Sequence, residues 1–169
     1  MDGLDYEYRT GIGTDIHRLV PERPLMLGGV QVPFELGLLG HSDGDAVLHA
    51  VIDAMLGAAG LGDIGMLFPD TDPQWKDADS SELVMRAREQ VKKHQWEVVN
   101  LDVVIHAQLP RLGPFKGQIK RQVAGLLETD FANVNIKAKT NEGLDAVGRG
   151  EAIAATAVIM LRRRIKRRL

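Results

Sequence analysis

Apolar and polar positions along the chain alternate between two rhythms, one short and β-like, the other helical. Tyr8 to His17 (YRTGIGTDIH) is short and mixes β-formers with glycine, which predicts a strand. Leu25 to Pro33 (LMLGGVQVP) reads as a hairpin, with Gly28–Gly29 supplying the positive φ angles of a two-residue turn. Val47, Leu48, Val51, Ile52, Met55 and Leu56 recur at spacings of one, three and four, which predicts a helix from a Ser42 cap to Gly57. Leu83, Val84, Ala87 and Val91 mark a second helix, capped by Ser80 or Ser81 and running to about His94. Pro114 opens a third helix to about Leu127. Val98 to Gln108 (VVNLDVVIHAQ) is the clearest strand, and Val134 to Thr140 is another.

Two stretches do not follow either rhythm. Leu61 to Asp79 is rich in Gly, Asp and Pro and has little periodicity, the mark of a functional or disordered loop. Ala152 to Leu161 (AIAATAVIML) carries four alanines that favour a helix, while Ile153, Thr156, Val158 and Ile159 favour a strand. Propensity does not decide between them. Strands interleaved with about three helices point to an α+β or α/β layer fold.

Composition narrows the class. A chain of 169 residues suits one domain, 1–169, with one hydrophobic core. At 44% hydrophobic and 26% charged residues, it has the make-up of a globular protein. Its formal net charge of -2 provides no basic field for nucleic acid. The basic cluster from about residue 162, Arg162–Arg163–Arg164–Ile165–Lys166–Arg167–Arg168, reads as a solvated terminus. With no cysteine, a metal must be held by His, Asp or Glu. Met1 to Arg9 is acidic and polar rather than a targeting segment, and no apolar run reaches the roughly 20 residues that span a bilayer. A cytoplasmic enzyme without membrane or nucleic-acid partners is the plain reading.

Four segments carry candidate chemistry. In Asp15–Ile16–His17, side chains two apart on a strand share a face, so a carboxylate and an imidazole converge. That pair suits a divalent metal, zinc first for nitrogen and oxygen donors, or a hydrogen-bonded surface pair. In the stretch from His41–Ser42–Asp43–Gly44–Asp45 to His49, two histidines bracket a helix start. Eight residues of helix span roughly 12 Å, too far for both to bind one metal. One can be a ligand while the other serves another role; the alternative is a capped helix with one exposed and one buried histidine. Asp63–Ile64–Gly65 and Phe68–Pro69–Asp70–Thr71–Asp72 offer acceptors for sugar hydroxyls, or a self-capping turn. Lys139–Thr140–Asn141–Glu142 puts a hydroxyl and a carboxylate at a strand end, as a site or as an ordinary polar turn. There is no P-loop and no dinucleotide fingerprint.

Taken in order, these segments closely resemble the cyclodiphosphate synthase family, from Gly13–Thr14–Asp15–Ile16–His17 to Phe68–Pro69–Asp70–Thr71–Asp72. Ala107–Gln108–Leu109–Pro110 and the stretch from Lys139 to Gly148–Arg149–Gly150–Glu151 extend the likeness, which runs from about residue 9 to about 163. The resemblance implies a single-domain two-layer sandwich, with a mixed sheet packed against about three helices. It further implies a homotrimer with its sheets facing the three-fold axis and its active sites between subunits. On the same ground Ala152 to Leu161 is expected to be a strand.

The activity it implies is conversion of 4-diphosphocytidyl-2-C-methyl-D-erythritol 2-phosphate to a cyclic diphosphate, with release of CMP. The family's zinc ligands fall on Asp15, His17 and His49, which leaves a fourth position open. His41 and Thr140 fall on the positions beside the reacting phosphates. Glu142 matches the holder of a second divalent cation, magnesium or manganese. Ala107, Gln108, Leu109, Pro110, Arg111, Leu112 and Gly113 match the cytosine pocket, together with Ala138 to Thr140. Ser42, Asp63, Ile64, Gly65 and the Phe68 to Asp72 loop match the sugar and erythritol contacts, and Lys139, Asn141 and Arg149 complete the substrate set.

Departures from the family wording are local. Lys139–Thr140–Asn141–Glu142 replaces a common Thr-Thr-Thr-Glu, and Asp145–Ala146–Val147 replaces a frequent Gly-Phe-Thr. The family's axial cavity can hold an isoprenoid diphosphate; here Ala146 removes the aromatic wall, while Arg149 keeps the charge. Two rival functions use the same residues: a metal-dependent phosphohydrolase that activates water, and a non-catalytic trimeric ligand-binding protein.

Overall fold

The computed structural model describes residues 5–165. Among these described residues, seven strands and five α-helices form an α+β fold: β1 (Asp5–Val20), β2 (Leu25–Leu27), β3 (Val30–Val32), β4 (Gly37–Leu38), α1 (Ala46–Ala59), α2 (Ile64–Leu67), α3 (Ser80–Lys93), β5 (Glu97–His106), α4 (Lys116–Leu126), β6 (Val134–Lys139), α5 (Asp145–Gly148) and β7 (Ala152–Ile165). Three of the helices are long, and α2 and α5 are single turns of four residues. The main sheet runs β4-β1-β7-β5-β6. It is mixed, because β7 is antiparallel to both β1 and β5 while β6 is parallel to β5.

The ambiguous segment is the central strand, β7. Ile153, Ala155, Ala157, Ile159 and Leu161 are buried at a period of two. Ala155 and Ala157 in that row are small because α1 lies across β7 and β1; they mark a close helix-to-sheet approach rather than helical propensity. On β1 the same demand is met by glycine. A Cβ on Gly11 would stand 2.0 Å from the carbonyl oxygen of Ala54, and one on Gly13 would stand 2.0 Å from that of Ala50. Leu48, Ile52, Met55 and Leu56 of α1 then fill one core with Leu101, Ile105, Ile119 and Ile159.

Among the described residues no helix lies over the opposite face of the sheet, which leaves Ile12 at 66%, Ile16 at 57% and Val158 at 44% exposure.

Several boundaries differ from those predicted. Asp45, not Ser42, caps α1: its carboxylate accepts from the Leu48 N–H at 3.0 Å. The helix passes Gly57 and ends at Gly60, which takes the left-handed conformation. Asp79 caps α3 in place of Ser80 or Ser81. Pro114 sits in a 3-10 turn, Gly113–Phe115, and α4 begins only at Lys116. The 61–79 loop is ordered in two places, at α2 and at a 3-10 turn, Pro73–Trp75. Arg162 to Arg164 are not a free tail but the end of β7, where Arg162 pairs with Glu97 and Arg163 with Glu7; Lys166 to Arg168 lie outside the described residues. The Gly28–Gly29 turn has the expected positive φ angles, 62° and 74°.

The glycine contacts yield a paired test. Gly13→Ala should destabilise the protein by about 1–3 kcal/mol through overpacking. Gly57→Ala, whose Cβ would meet nothing within 4 Å, should stabilise it by roughly 0.5–1 kcal/mol. Urea unfolding of both variants measures the difference.

Candidate metal centre and substrate cavity

Asp15 and His17 stand on the helix-facing side of β1, and His49 is one turn into α1 opposite them. The Gly13–Ala50 contact sets the spacing between the two elements. Asp15 Oδ2 is 3.0 Å from His17 Nδ1 and 3.0 Å from His49 Nδ1. The two imidazole centroids are 5.1 Å apart, with the rings tilted by 57°. Gly40 allows the next loop to pass over His17; a Cβ there would be 3.0 Å from the ring.

The donors fit a divalent cation. Ligand atoms of all three residues lie within 4.8 Å of one another. His17 Nδ1 is buried and has no hydrogen-bond partner, despite its short distance to Asp15, so its geometry favours a shared central ion over a direct bond. The far side of His49 is already held, as an oriented metal ligand requires. Its Nε2 is 3.0 Å from Ser42 Oγ and 3.0 Å from Ser80 Oγ.

Electrostatics agree with the geometry. Burial works to raise the Asp15 carboxyl, but the His17 and His49 imidazoles, each 3.0 Å away, outweigh it and hold the pKa at about 2. Burial works to lower His17, yet the Asp15 carboxylate 3.0 Å away raises it above its ordinary value.

Around the triad, a cavity of about 320 Å³ is lined by His17 and His49 together with His41, Ser42, Ile64, Gly65, Phe68, Pro69 and Asp70. Trp75 and Leu83 complete its wall, and Trp75 meets Phe68 edge-on at 5.0 Å. Arg23 fixes the His41 loop by donating to the Ser42 carbonyl at 2.7 Å. Asp63 and Asp72 cap α2 and the Pro73 turn by accepting from Met66 and Gln74 N–H groups. Thr71 lies between Asp70 and Asp72 in the same loop and is exposed.

The remaining candidates gather elsewhere. At the ends of the parallel pair β5 and β6, the Ala107 N–H donates to the Lys139 carbonyl at 2.9 Å. The loop 107–113 that follows has a cis Leu109–Pro110 bond, with Arg111 and Gly113 exposed and Leu112 buried. The buried Gln108 Oε1 has no partner. Thr140 donates to Glu142 at 3.0 Å, Asn141 to Asp145 at 2.9 Å, and Arg149 to Glu151 at 2.9 and 3.1 Å. Asp15 and Ala138 share one row across β1, β7, β5 and β6. Three strand spacings put them about 14 Å apart.

Sequence reasoning passed over Ser80, Asp43 and Asp45 as functional groups. Asp45 is fully buried and accepts from Gly28, Gly29 and Leu48 N–H groups, tying the hairpin turn to the start of α1. Burial pushes its carboxyl up, against those three donors. The acidic residues before α1 were visible as helix-start charges, but nothing in the sequence marks a bond spanning 16 or 17 residues.

Fold and triad together define an α+β protein with a histidine–carboxylate cluster able to hold a metal ion near one end of a mixed sheet. The chain belongs to the YgbB family, whose model matches residues 8–162. It is 52% identical over 160 residues to the 2-C-methyl-D-erythritol 2,4-cyclodiphosphate synthase of Bordetella petrii, covering 95% of this chain and 99% of that one. A solved 2C-methyl-D-erythritol-2,4-cyclodiphosphate synthase in its CDP-bound form superposes with a TM-score of 0.84 at 39% identity, covering 90% of this chain and 99% of the other. The bifunctional IspDF of Campylobacter jejuni gives 0.91 at 43% identity over 94% of this chain; the match spans 43% of that longer protein. Among the described residues, no helix is long and apolar enough to cross a membrane.

The triad sets opposite pH responses with and without metal. A raised His17 stabilises the metal-free protein fully below its unfolded value of about 6.5, and that contribution is lost as pH rises through the folded value. Metal binding needs the neutral ring, so affinity should rise over the same interval and binding should release protons. Thermal melts with and without added zinc across this range should therefore change in opposite directions.

Proposed function

We propose that this chain converts 4-diphosphocytidyl-2-C-methyl-D-erythritol 2-phosphate to 2-C-methyl-D-erythritol 2,4-cyclodiphosphate and CMP, a phosphorus–oxygen lyase step of the non-mevalonate isoprenoid precursor pathway. The observation that carries this reading is one cavity in which His41, Ser42 and the 64–70 loop face the Asp15–His17–His49 cluster. Membership of the family and the names of its similar members support the same substrate.

In the reaction, an oxygen of the 2-phosphate bonds to the β-phosphorus. The bond from that phosphorus to the oxygen bridging to the α-phosphate breaks, and CMP leaves with that oxygen. A phosphate monoester has a second pKa of about 6, so the nucleophile is mostly dianionic at neutral pH and needs no strong general base. The barrier lies in bringing one anion to another, and in folding a flexible substrate on itself. Confinement of the reacting ends can supply on the order of 7–11 kcal/mol.

His41, exposed at the cavity, donates a hydrogen bond to the phosphate oxygens as charge builds there, and the Thr140 hydroxyl acts with it. Asp15, His17 and His49 would hold zinc, which when bound supplies Lewis-acid charge to phosphate oxygen. Glu142 would hold a second divalent cation, magnesium or manganese, with the α- and β-phosphates. Ser42, Asp63 to Gly65 and the Phe68 to Asp72 loop take the erythritol, and 107–113 takes the cytosine through backbone groups.

A trimer fits this division of labour. The phosphate half and the nucleotide half of one chain are about 14 Å apart across the sheet, and the apolar outer face with Ile12, Ile16 and Val158 suits burial against other copies. Each site would then join the triad of one subunit to the 107–113 and 139–142 loops of the next.

Phosphorus NMR of the protein with zinc, magnesium and the cytidylyl substrate should show a cyclic diphosphate appearing together with CMP. Open-chain phosphates alone would assign a hydrolase, and zinc binding without turnover would assign a ligand-binding protein. His49→Ala should nearly abolish both zinc retention and turnover. Light scattering should return three times the chain mass of 18.6 kDa; a monomer would refute the shared site.

A further inference from the structure

We infer that Ser80 is the positioning residue that fixes the tautomer and ring angle of His49 for metal binding, with Asp43 as its anchor. This rests on the zinc reading above. Ser80 is fully buried and is neither a metal ligand nor part of the cavity wall. It is the first residue of α3, but Asp79 does the capping, so the Ser80 hydroxyl is free for another task.

That hydroxyl sits in a directed chain. Ser80 Oγ donates to Asp43 Oδ1 at 2.5 Å, and the Ser80 N–H donates to Asp43 Oδ2 at 3.1 Å. The Asp45 N–H also donates to Asp43 Oδ1, at 3.1 Å, which holds the carboxylate still. A serine hydroxyl has one proton. With that proton given to Asp43, Ser80 Oγ can only accept from His49 Nε2, 3.0 Å away. Nε2 therefore bears the ring hydrogen, shared with Ser42 Oγ at 3.0 Å. The lone pair of the neutral ring then falls on Nδ1, the atom 3.0 Å from Asp15 Oδ2. A carboxylate–hydroxyl–imidazole relay of this kind orients a ligand and strengthens it as a donor. Asp43 and Ser80 are 37 residues apart, so the relay also couples the entry of α3 to the metal site.

The purely structural alternative is that Ser80 only ties α3 to the loop before α1. Two measurements on the full-length chain separate them. In zinc titrations against a chromophoric chelator, Ser80→Ala should bind zinc about 10–100-fold more weakly, and its cobalt-substituted form should show a shifted visible spectrum. In the wild-type zinc-loaded protein, nitrogen-15 NMR of the five histidines should find His49 protonated at Nε2 and metal-bound at Nδ1. Wild-type zinc affinity and cobalt spectrum in Ser80→Ala, even with a lowered melting temperature, would overturn the inference. So would a bare or metal-bound Nε2 in the wild type, a result that needs no variant to fold. Wild-type protein that binds no zinc at all would instead bring down the zinc reading on which the inference stands.

Discussion

The site depends on how closely α1 can lie on β1. Two glycines and a run of alanines let a helix backbone rest almost directly on the sheet, with carbonyl oxygens of α1 where side chains would otherwise stand. This contact is made two residues before Asp15 on the strand and one residue after His49 on the helix. It therefore works as a spacer: with the backbones in contact at Gly13 and Ala50, the side chains of the next row meet at 3.0 Å. Any bulk at the spacer would open the gap between the donors before it disturbed anything else. The arrangement of this candidate metal site is thus an outcome of core packing, and its precision is borrowed from the rigidity of a close-packed interior.

A second layer of constraint comes from two carboxylates outside the cavity wall, Asp45 buried and Asp43 half-buried. Asp45 gathers three backbone N–H groups, two from the distant hairpin turn and one from its own helix, and Asp43 gathers a hydroxyl and two backbone N–H groups. Both lie in the five residues following His41. The helix entry, the hairpin turn and the start of α3 are thereby locked to one another, and His41 and Ser42 sit on a strand of loop with little freedom. Burying a carboxylate is costly unless it is fully hydrogen-bonded, so these acids hold the loop in one arrangement rather than several.

Much of this could be read from the sequence, and the failures have physical causes. Asp15 and His17 were legible because strand geometry alone puts alternate residues on one face, and the Gly28–Gly29 turn because its φ angles demand glycine. His49 as the third donor came only with the family resemblance, since a contact 34 residues apart leaves no periodic trace. Ser42 and Ser80 were both taken for caps because serine favours that role. Asp45 and Asp79 do the capping, and the two hydroxyls turn inward to His49. Ala152 to Leu161 defeated propensity because two of its four alanines, Ala155 and Ala157, answer to the helix packed on them, not to their own backbone. The short helix within 64–67 lacks the length for any periodicity to appear.

The position of β7 has a consequence for how the chain is made. Its 14 residues pair with β1 on one side and β5 on the other, yet it follows both in the sequence. As the polypeptide leaves the ribosome, β1 and β5 must wait with unsatisfied edges until the strand between them emerges. Such edges invite pairing with other chains. The nascent protein is accordingly most exposed to misassociation just before its synthesis reaches β7, the strand that joins β1 to β5.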